Sequence, residues 1–167
     1  MRLNLGAGEQ KIDGWRTVDV GRADVHHNLA VFPWPFDTAS AESLLASHVL
    51  EHFDKQTGAD FLAECCRILK PGGWLRLAVP DLDLFIDCVN DESYERLNGY
   101  EHTDLNKLMG GGDGEPNPFM RHHYAYTAES LETAMRRAGF RHVIRANFCK
   151  LDNPAYMAIS LYMQGYK

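Results

Sequence analysis

Short apolar runs bounded by glycine, proline or acidic residues recur along the chain, and two longer stretches carry apolar residues at helical spacing. Residues 2–5 and 16–20 read as buried strands, 25–29 as a candidate third, and 44–50 and 74–79 as two more. Between 57 and 69, Phe61, Leu62, Cys65, Ile68 and Leu69 share one face of an amphipathic helix. Pro71-Gly72-Gly73 stops that helix and turns the chain. Pro33 and Pro35 exclude a central strand or a helix interior over residues 32–36. Thr127 is placed to N-cap a second helix, with Leu131, Ala134, Met135 and Ala138 on one face and Gly139 as its stop. Residues 142–147 and 158–163 read as closing strands. From Asp81 to about Tyr126 the pattern breaks into alternating polar, glycine-rich and short helical pieces, including the run 110–114, as binding segments and lids do.

Strands alternating with helices predict an α/β fold, a mostly parallel sheet with helices on its faces. Ligands on such sheets bind outside the carboxyl ends of the strands. At that edge stands Leu3-Asn4-Leu5-Gly6-Ala7-Gly8, followed by Thr17-Val18-Asp19-Val20. A glycine turn lets the backbone approach a nucleoside, and an ionised Asp19 can accept from two ribose hydroxyls. A nicotinamide dinucleotide would require G-x-G-x-x-G running into a full helix, with the acid about twenty residues on. Here Glu9, Gln10 and Lys11 follow Gly8, and the acid arrives too early for that cofactor.

The chain has 167 residues, enough for one domain spanning 1–167, and 45% hydrophobic content excludes general disorder. A net charge of −6 without a dense Lys/Arg run gives no general attraction to nucleic acid or an anionic membrane. The apolar runs are too short to span a bilayer, and Met1 is followed almost at once by a strand, which leaves no room for a secretory signal. A cytoplasmic location is therefore expected, with neither a nucleic-acid nor a membrane partner. Cys65, Cys66, Cys88 and Cys149 form no C-x-x-C pair and read as reduced thiols, mostly of the core.

Taken together, LNLGAG (3–8), TVDV (17–20), ASHVLEHF (46–53), ECCRILKPGGWLRLAVPD (64–81) and YTAESLETAMRRAGF (126–140) resemble the class I S-adenosylmethionine-dependent methyltransferases, in a compact, type 11-like form. The fourth block, a helix ending R-x-L-K-P-G-G before a strand, is the most specific. The resemblance implies a three-layer Rossmann-like methyltransferase fold with helices on both faces and an antiparallel last strand. It implies S-adenosylmethionine as cofactor. Asn4, Leu5, Gly6, Ala7 and Gly8 would face its methionine part, Asp19 and Val20 the ribose, and Asn28 and Leu29 the adenine. Ser47, His48 and His52 would border the transferable methyl group. Trp34 and Phe36 would either cover the adenine side or serve as plain core. Departures from the family pattern are Asn4, where an acid is common, Gln10 in place of a third glycine, and Asn28 in place of an adenine-side acid. The short path from Gly8 to Asp19 leaves room for at most one turn of helix.

Methyl transfer to a hydroxyl or amine requires loss of a proton, so a base helps. His48 and His123 are the candidate catalytic residues; His26 and His27 are assigned to a strand and its edge. Histidine is abundant, yet neither H-E-x-x-H nor a paired Cys/His spacing occurs, and no metal is expected. Residues 82–123 should form a variable substrate wall, carrying Tyr94, Arg96, Tyr100, Lys107, Phe119 and Arg121. That mixture suits a small-molecule or glycan-linked acceptor. A cofactor-binding module with little or no catalysis is the alternative.

Overall fold

The computed structural model describes residues 1–91 and 121–167. Its centre is a seven-stranded sheet in the order β3-β2-β1-β4-β5-β7-β6. The strands are β1 (Arg2–Leu5), β2 (Arg16–Asp19), β3 (Val25–His26), β4 (Ala41–Ser47), β5 (Leu69–Pro80), β6 (His142–Arg145) and β7 (Ser160–Tyr166). β3, β2, β1, β4 and β5 pair in parallel, and β7 runs antiparallel to both β5 and β6. This is the mostly parallel, Rossmann-like sheet with an antiparallel last strand that the sequence predicts.

Direct cross-strand partners share a face of the sheet. One transverse row runs Val18, Leu5, Ala46, Leu77, Met163. All five are buried in a single hydrophobic cluster with Phe61, Leu62, Cys65 and Ile68 of α1 (Lys55–Ile68) and with Leu131 and Met135 of α3 (Ala128–Arg137). Gly165 of β7 permits this packing, because a Cβ there would stand 2.6 Å from Met135 Cε. The neighbouring row, on the other face, runs Thr17, Asn4, Leu45, Arg76, Gln164. It is mostly polar, and the coil over residues 147–152 is anchored on it. Arg76 Nε donates to Asp152 Oδ1 at 2.6 Å, and Arg76 Nη2 donates to the Asn147 carbonyl at 2.6 Å. Asn4 Nδ2 reaches the Gln10 carbonyl at 3.4 Å, and Gln10 Nε2 donates to the Leu151 carbonyl at 3.1 Å.

The helices begin on capping side chains. Asp54 accepts from the Thr57 N–H, and Thr127 and Ser130 form a reciprocal capping box. The structure departs from the sequence reading at several places. The closing strands run His142–Arg145 and Ser160–Tyr166 instead of 142–147 and 158–163, the latter because a 3-10 turn takes up Pro154–Ile159. β3 ends at His26, because the His27 N–H turns back to the Asp19 carbonyl. β4 ends at Ser47 rather than reaching Leu50, which instead opens a single 3-10 turn over Leu50–His52. Pro71-Gly72-Gly73 does turn the chain, but as a bulge within β5: Leu69 pairs with Ala41 and Trp74 with Ser43. A continuous nine-residue helix α2 (Leu82–Asn90), capped by Asp81, occupies the start of the stretch read as broken into short pieces. Tyr94, Arg96, Tyr100, Lys107, Phe119 and the 110–114 glycine run lie outside the described residues. All four cysteines are free, with Cys65 and Cys88 buried. Among the described residues no helix is long and apolar enough to cross a membrane.

Candidate cofactor cleft and its histidine rim

At the carboxyl edge of β1, β2 and β4 lies an open cavity of about 270 Å³. Gly6, Gly8, Asp19, Val20, Asn28, Leu29, His48 and His52 line it, together with His27, Val49 and Phe53. The structure thus gathers eight of the predicted residues on one wall. Asn4, Leu5, Ala7 and Ser47 lie outside that lining; Asn4 and Leu5 are buried in the sheet. Trp34 is core: it is buried, lies edge-on to Phe61 at 5.2 Å between ring centroids, and donates Nε1–H to the Leu29 carbonyl. Phe36 also packs on the core, only partly buried. Among the residues not anticipated, Val49 and Phe53 sit inside the 46–53 block that carries part of the family resemblance. His27 carried no such signal.

The glycine turn is built from both sides. Gly6 has φ +63° and Gly8 φ +53°, the left-handed region that glycine enters without penalty. The Gly6 N–H donates to the Val18 carbonyl at 2.8 Å, which closes the turn over β2. A Cβ on Gly6 would stand 2.4 Å from Val49 Cγ2, whereas a Cβ on Gly8 would meet nothing within 4 Å and would project into open space. Asp19 ties the rim together. Its Oδ2 accepts the Gly8 N–H at 2.8 Å and its Oδ1 accepts the Gly21 N–H at 2.9 Å. A carboxylate oxygen accepts more than one hydrogen bond, so both retain capacity for ligand hydroxyls. Asn28 Oδ1 accepts from the Ala30 N–H at 3.0 Å, leaving its amide hydrogens available. The donors, acceptors and bare glycine backbone fit an adenosyl ligand.

At the other end of the cavity His48 holds φ +55°, uncommon for a residue with a side chain. Its N–H donates to the Ala78 carbonyl, and its ring lies 4.2 Å from that of Tyr156. The Ser160 hydroxyl donates to the Tyr156 carbonyl at 2.7 Å, so His48 Nε2 is the donor to Ser160 Oγ at 2.8 Å. His48 Nδ1 lies 3.0 Å from Glu51 Oε1. Nε2 is therefore engaged within the protein, while Nδ1 faces the Glu51 carboxylate. His123 is exposed and absent from the cavity lining; its N–H donates to the Glu51 carbonyl at 2.7 Å.

Glu51 is 1% exposed, and among the described residues neither of its carboxylate oxygens accepts a hydrogen bond; the close approach of His48 Nδ1 lacks hydrogen-bond alignment. Glu51, His52 and His122 each bring one possible ligand atom within 4.8 Å of the others. Below them Tyr126 is buried, and loss of solvent raises its phenol well above the usual tyrosine range, so it stays neutral.

A family profile described as a methyltransferase domain matches residues 10–144. A curated protein of Mycolicibacterium smegmatis, named a probable S-adenosylmethionine-dependent methyltransferase, is 34% identical over 94 residues, spanning 53% of this chain and 35% of that protein. This chain therefore covers about a third of that relative's length. Among solved structures, an S-adenosylmethionine-dependent methyltransferase from Archaeoglobus fulgidus superposes with a TM-score of 0.62 at 13% identity, covering 99% of this chain and 85% of that one. A Burkholderia thailandensis 1,6-didemethyltoxoflavin N1-methyltransferase with bound S-adenosylhomocysteine gives 0.61 at 16% identity, covering 99% and 70%. At these identities the likeness establishes a common fold.

Proposed function

The chain belongs to the methyltransferase domain family, and we propose that it is an S-adenosylmethionine-dependent methyltransferase acting on a small-molecule or glycan-linked acceptor. The observation that carries this reading is the Asp19 clamp: one carboxylate at the end of β2 fixes the glycine turn through Gly8 and lines the cavity beside it. S-adenosylmethionine, when bound, supplies an electrophilic methyl group on a sulfonium sulfur. The chain's own task is then to bind, align and exclude water, and good alignment can lower the barrier by about 7–11 kcal/mol.

In this assignment Gly6 and Gly8 offer bare backbone to the amino-acid part, Asp19 accepts from the ribose hydroxyls, and Asn28 and Leu29 flank the adenine. His48 and His52 border the reacting end. His48, its Nε2 bonded to Ser160 and its ring set against that of Tyr156, acts as a fixed wall rather than a ready base. That engagement also favours a second reading, a cofactor-binding module with little transfer. The two separate in a turnover assay for S-adenosylhomocysteine over a broad acceptor panel, where binding without product supports the module.

The test of the cofactor comes first. Calorimetry should show S-adenosylhomocysteine binding one site per chain, and Asp19→Ala should weaken it by about 1.5–3 kcal/mol through loss of charge-assisted bonds. Undiminished affinity in that variant would remove the ribose assignment.

A further inference from the structure

We infer that Glu51, His52 and His122 form a binding site for one divalent transition-metal ion of the zinc type, placed at the reacting end of the cavity. The spacing of histidines along the chain gave no hint of it, since His122 lies far from the other two in sequence. The fold brings them together through the backbone. The Glu51 carbonyl accepts the N–H groups of both His123 and Tyr124, at 2.7 and 3.2 Å, which presses segment 121–124 against the 3-10 turn. His122 Nε2 consequently lies 4.0 Å from Glu51 Oε1, and the rings of His52 and His122 meet edge to face at 4.8 Å.

Two further observations point to a ligand. The first is the orphaned carboxylate. Among the described residues neither oxygen of this buried carboxylate accepts a hydrogen bond, His48 Nδ1 approaching Oε1 at 3.0 Å without alignment; burial on those terms carries a large desolvation cost, and a cation offsets it. The second is the tautomer of His52. Its Nδ1 lies 3.2 Å from the Arg121 carbonyl, which can only accept, so Nδ1 carries the hydrogen and Nε2 keeps the lone pair that a metal needs. A histidine ligand held through its other nitrogen by a backbone carbonyl is the usual support in metal sites. Two imidazoles and one carboxylate suit zinc or ferrous iron and leave coordination positions open. With bonds of about 2.0–2.2 Å, ligand atoms around one ion sit roughly 3–3.5 Å apart, so small side-chain rotations close the site from its present spacing. The string 48–52 also reads H-x-x-E-H, a zinc-peptidase spacing, but that chemistry needs both histidines on one helix, and His48 here stands before a single 3-10 turn at φ +55°.

Of the three, His52 lines the cavity, which sets the group beside the cleft. The ion's task, which rests on the methyltransferase reading although the metal site itself does not, is to hold an acceptor oxygen and lower the pKa of its hydroxyl. That assigns the acceptor class as a hydroxyl, or a pair of neighbouring hydroxyls.

The test uses the full chain, stripped with a chelator and exchanged into near-neutral buffer. Zn²⁺ titration by calorimetry should give one site per chain, and Co²⁺ should develop visible absorption that Zn²⁺ displaces. Glu51→Gln, His52→Asn and His122→Asn should each weaken Zn²⁺ binding at least tenfold, while His142→Asn, on the exposed β6, should leave it unchanged. Circular dichroism checks folding, and if one ligand variant fails to fold the other two decide. Absence of stoichiometric Zn²⁺ binding, or ligand variants that bind as well as the native chain, overturns the site. S-adenosylhomocysteine is titrated separately into the same samples. Metal binding without nucleoside binding upholds the site and defeats the methyltransferase reading, and nucleoside binding without metal does the reverse.

Discussion

The two faces of the sheet are held in different ways. On one, Leu5, Ala46, Leu77 and Met163 meet two amphipathic helices, and the contact is apolar throughout. On the other, Asn4 and Arg76 carry a coil whose hold is ionic and directional. Arg76 and Asp152 form a two-pronged pair, with side chains 4% and 0% exposed, and the Cys149 N–H adds a third bond to Asp152 Oδ2 at 2.7 Å. The Arg76 guanidinium also lies 5.3 Å from the centre of the Tyr162 ring. The apolar face tolerates adjustment, because its contacts are many and individually weak. The polar face depends on a few bonds that must all be made.

This contrast predicts the largest effect at Asp152. Asp152→Ala strands a buried guanidinium and should cost about 3–5 kcal/mol in urea unfolding. Arg76→Met with Asp152→Leu removes both charges and should recover much of that loss. A double variant as unstable as the single one would mean that the pair does more than neutralise itself. On the apolar face, Leu77→Ala should cost about 3 kcal/mol from transfer and cavity terms together, with no partner able to rescue it.

The same contrast explains what the sequence disclosed. The helix-covered face repeats at the strand and helix periods, so Leu75, Leu77, Phe61 and Leu131 could be placed from their neighbours alone. Arg76 stands between two leucines and alternation assigns it to an outward position, which is correct as to face but silent about burial. Its partner lies 76 residues away in a coil without periodicity. Asn4 is buried too, although its own partner, Gln10, lies only six residues on. α2 has Asp83, Asp87 and Asn90 on one side, but at nine residues it spans too few turns for its period to stand out from the short helical pieces read there. The candidate site divides likewise. The glycine turn and Asp19 were legible, being local and demanding particular residue types. The Glu51, His52 and His122 grouping depends on backbone bonds from residues 123 and 124 to Glu51, which no spacing rule encodes.

The edge where both faces end offers a sharper separation of fold from ligand. Gly6→Ala drives a Cβ into Val49, a residue of the apolar cluster, at a positive φ. It should cost about 2–3 kcal/mol of stability. Gly8→Ala meets no atom of the described residues and should cost only about 1 kcal/mol for its backbone conformation. Its main effect should be on nucleoside affinity, measured by calorimetry against thermal melts of both variants. Equal melting losses would show that Val49 yields, and would weaken the view of Gly6 as a packing residue.

The smallest effect tests whether the helix-covered face is as free of ionic ties as its interior suggests. At its margin Glu64 of α1 accepts the Trp34 N–H at 2.6 Å and two bonds from Arg67 at 2.7 Å, and Arg67 Nη2 also donates to the Phe36 carbonyl at 2.8 Å. This fastens the proline-containing loop to the helix. The Arg67 hydrogen bonds hold the Glu64 carboxyl below its ordinary value of 4.5. Folding thus favours the ionised form. The resulting stability is fully present above that ordinary value and drains away as pH falls through the lower folded one. Glu64→Gln keeps the shape, removes the charge, and should cost about 1 kcal/mol near neutral pH. The distinguishing measurement is the difference between native and variant stability in urea across the acid range, which should shrink toward zero below the folded titration. A constant difference would assign the loss to geometry instead of charge. A loss as large as that of Asp152→Ala would mean that both faces rest on ionic ties, and the contrast between them would fail.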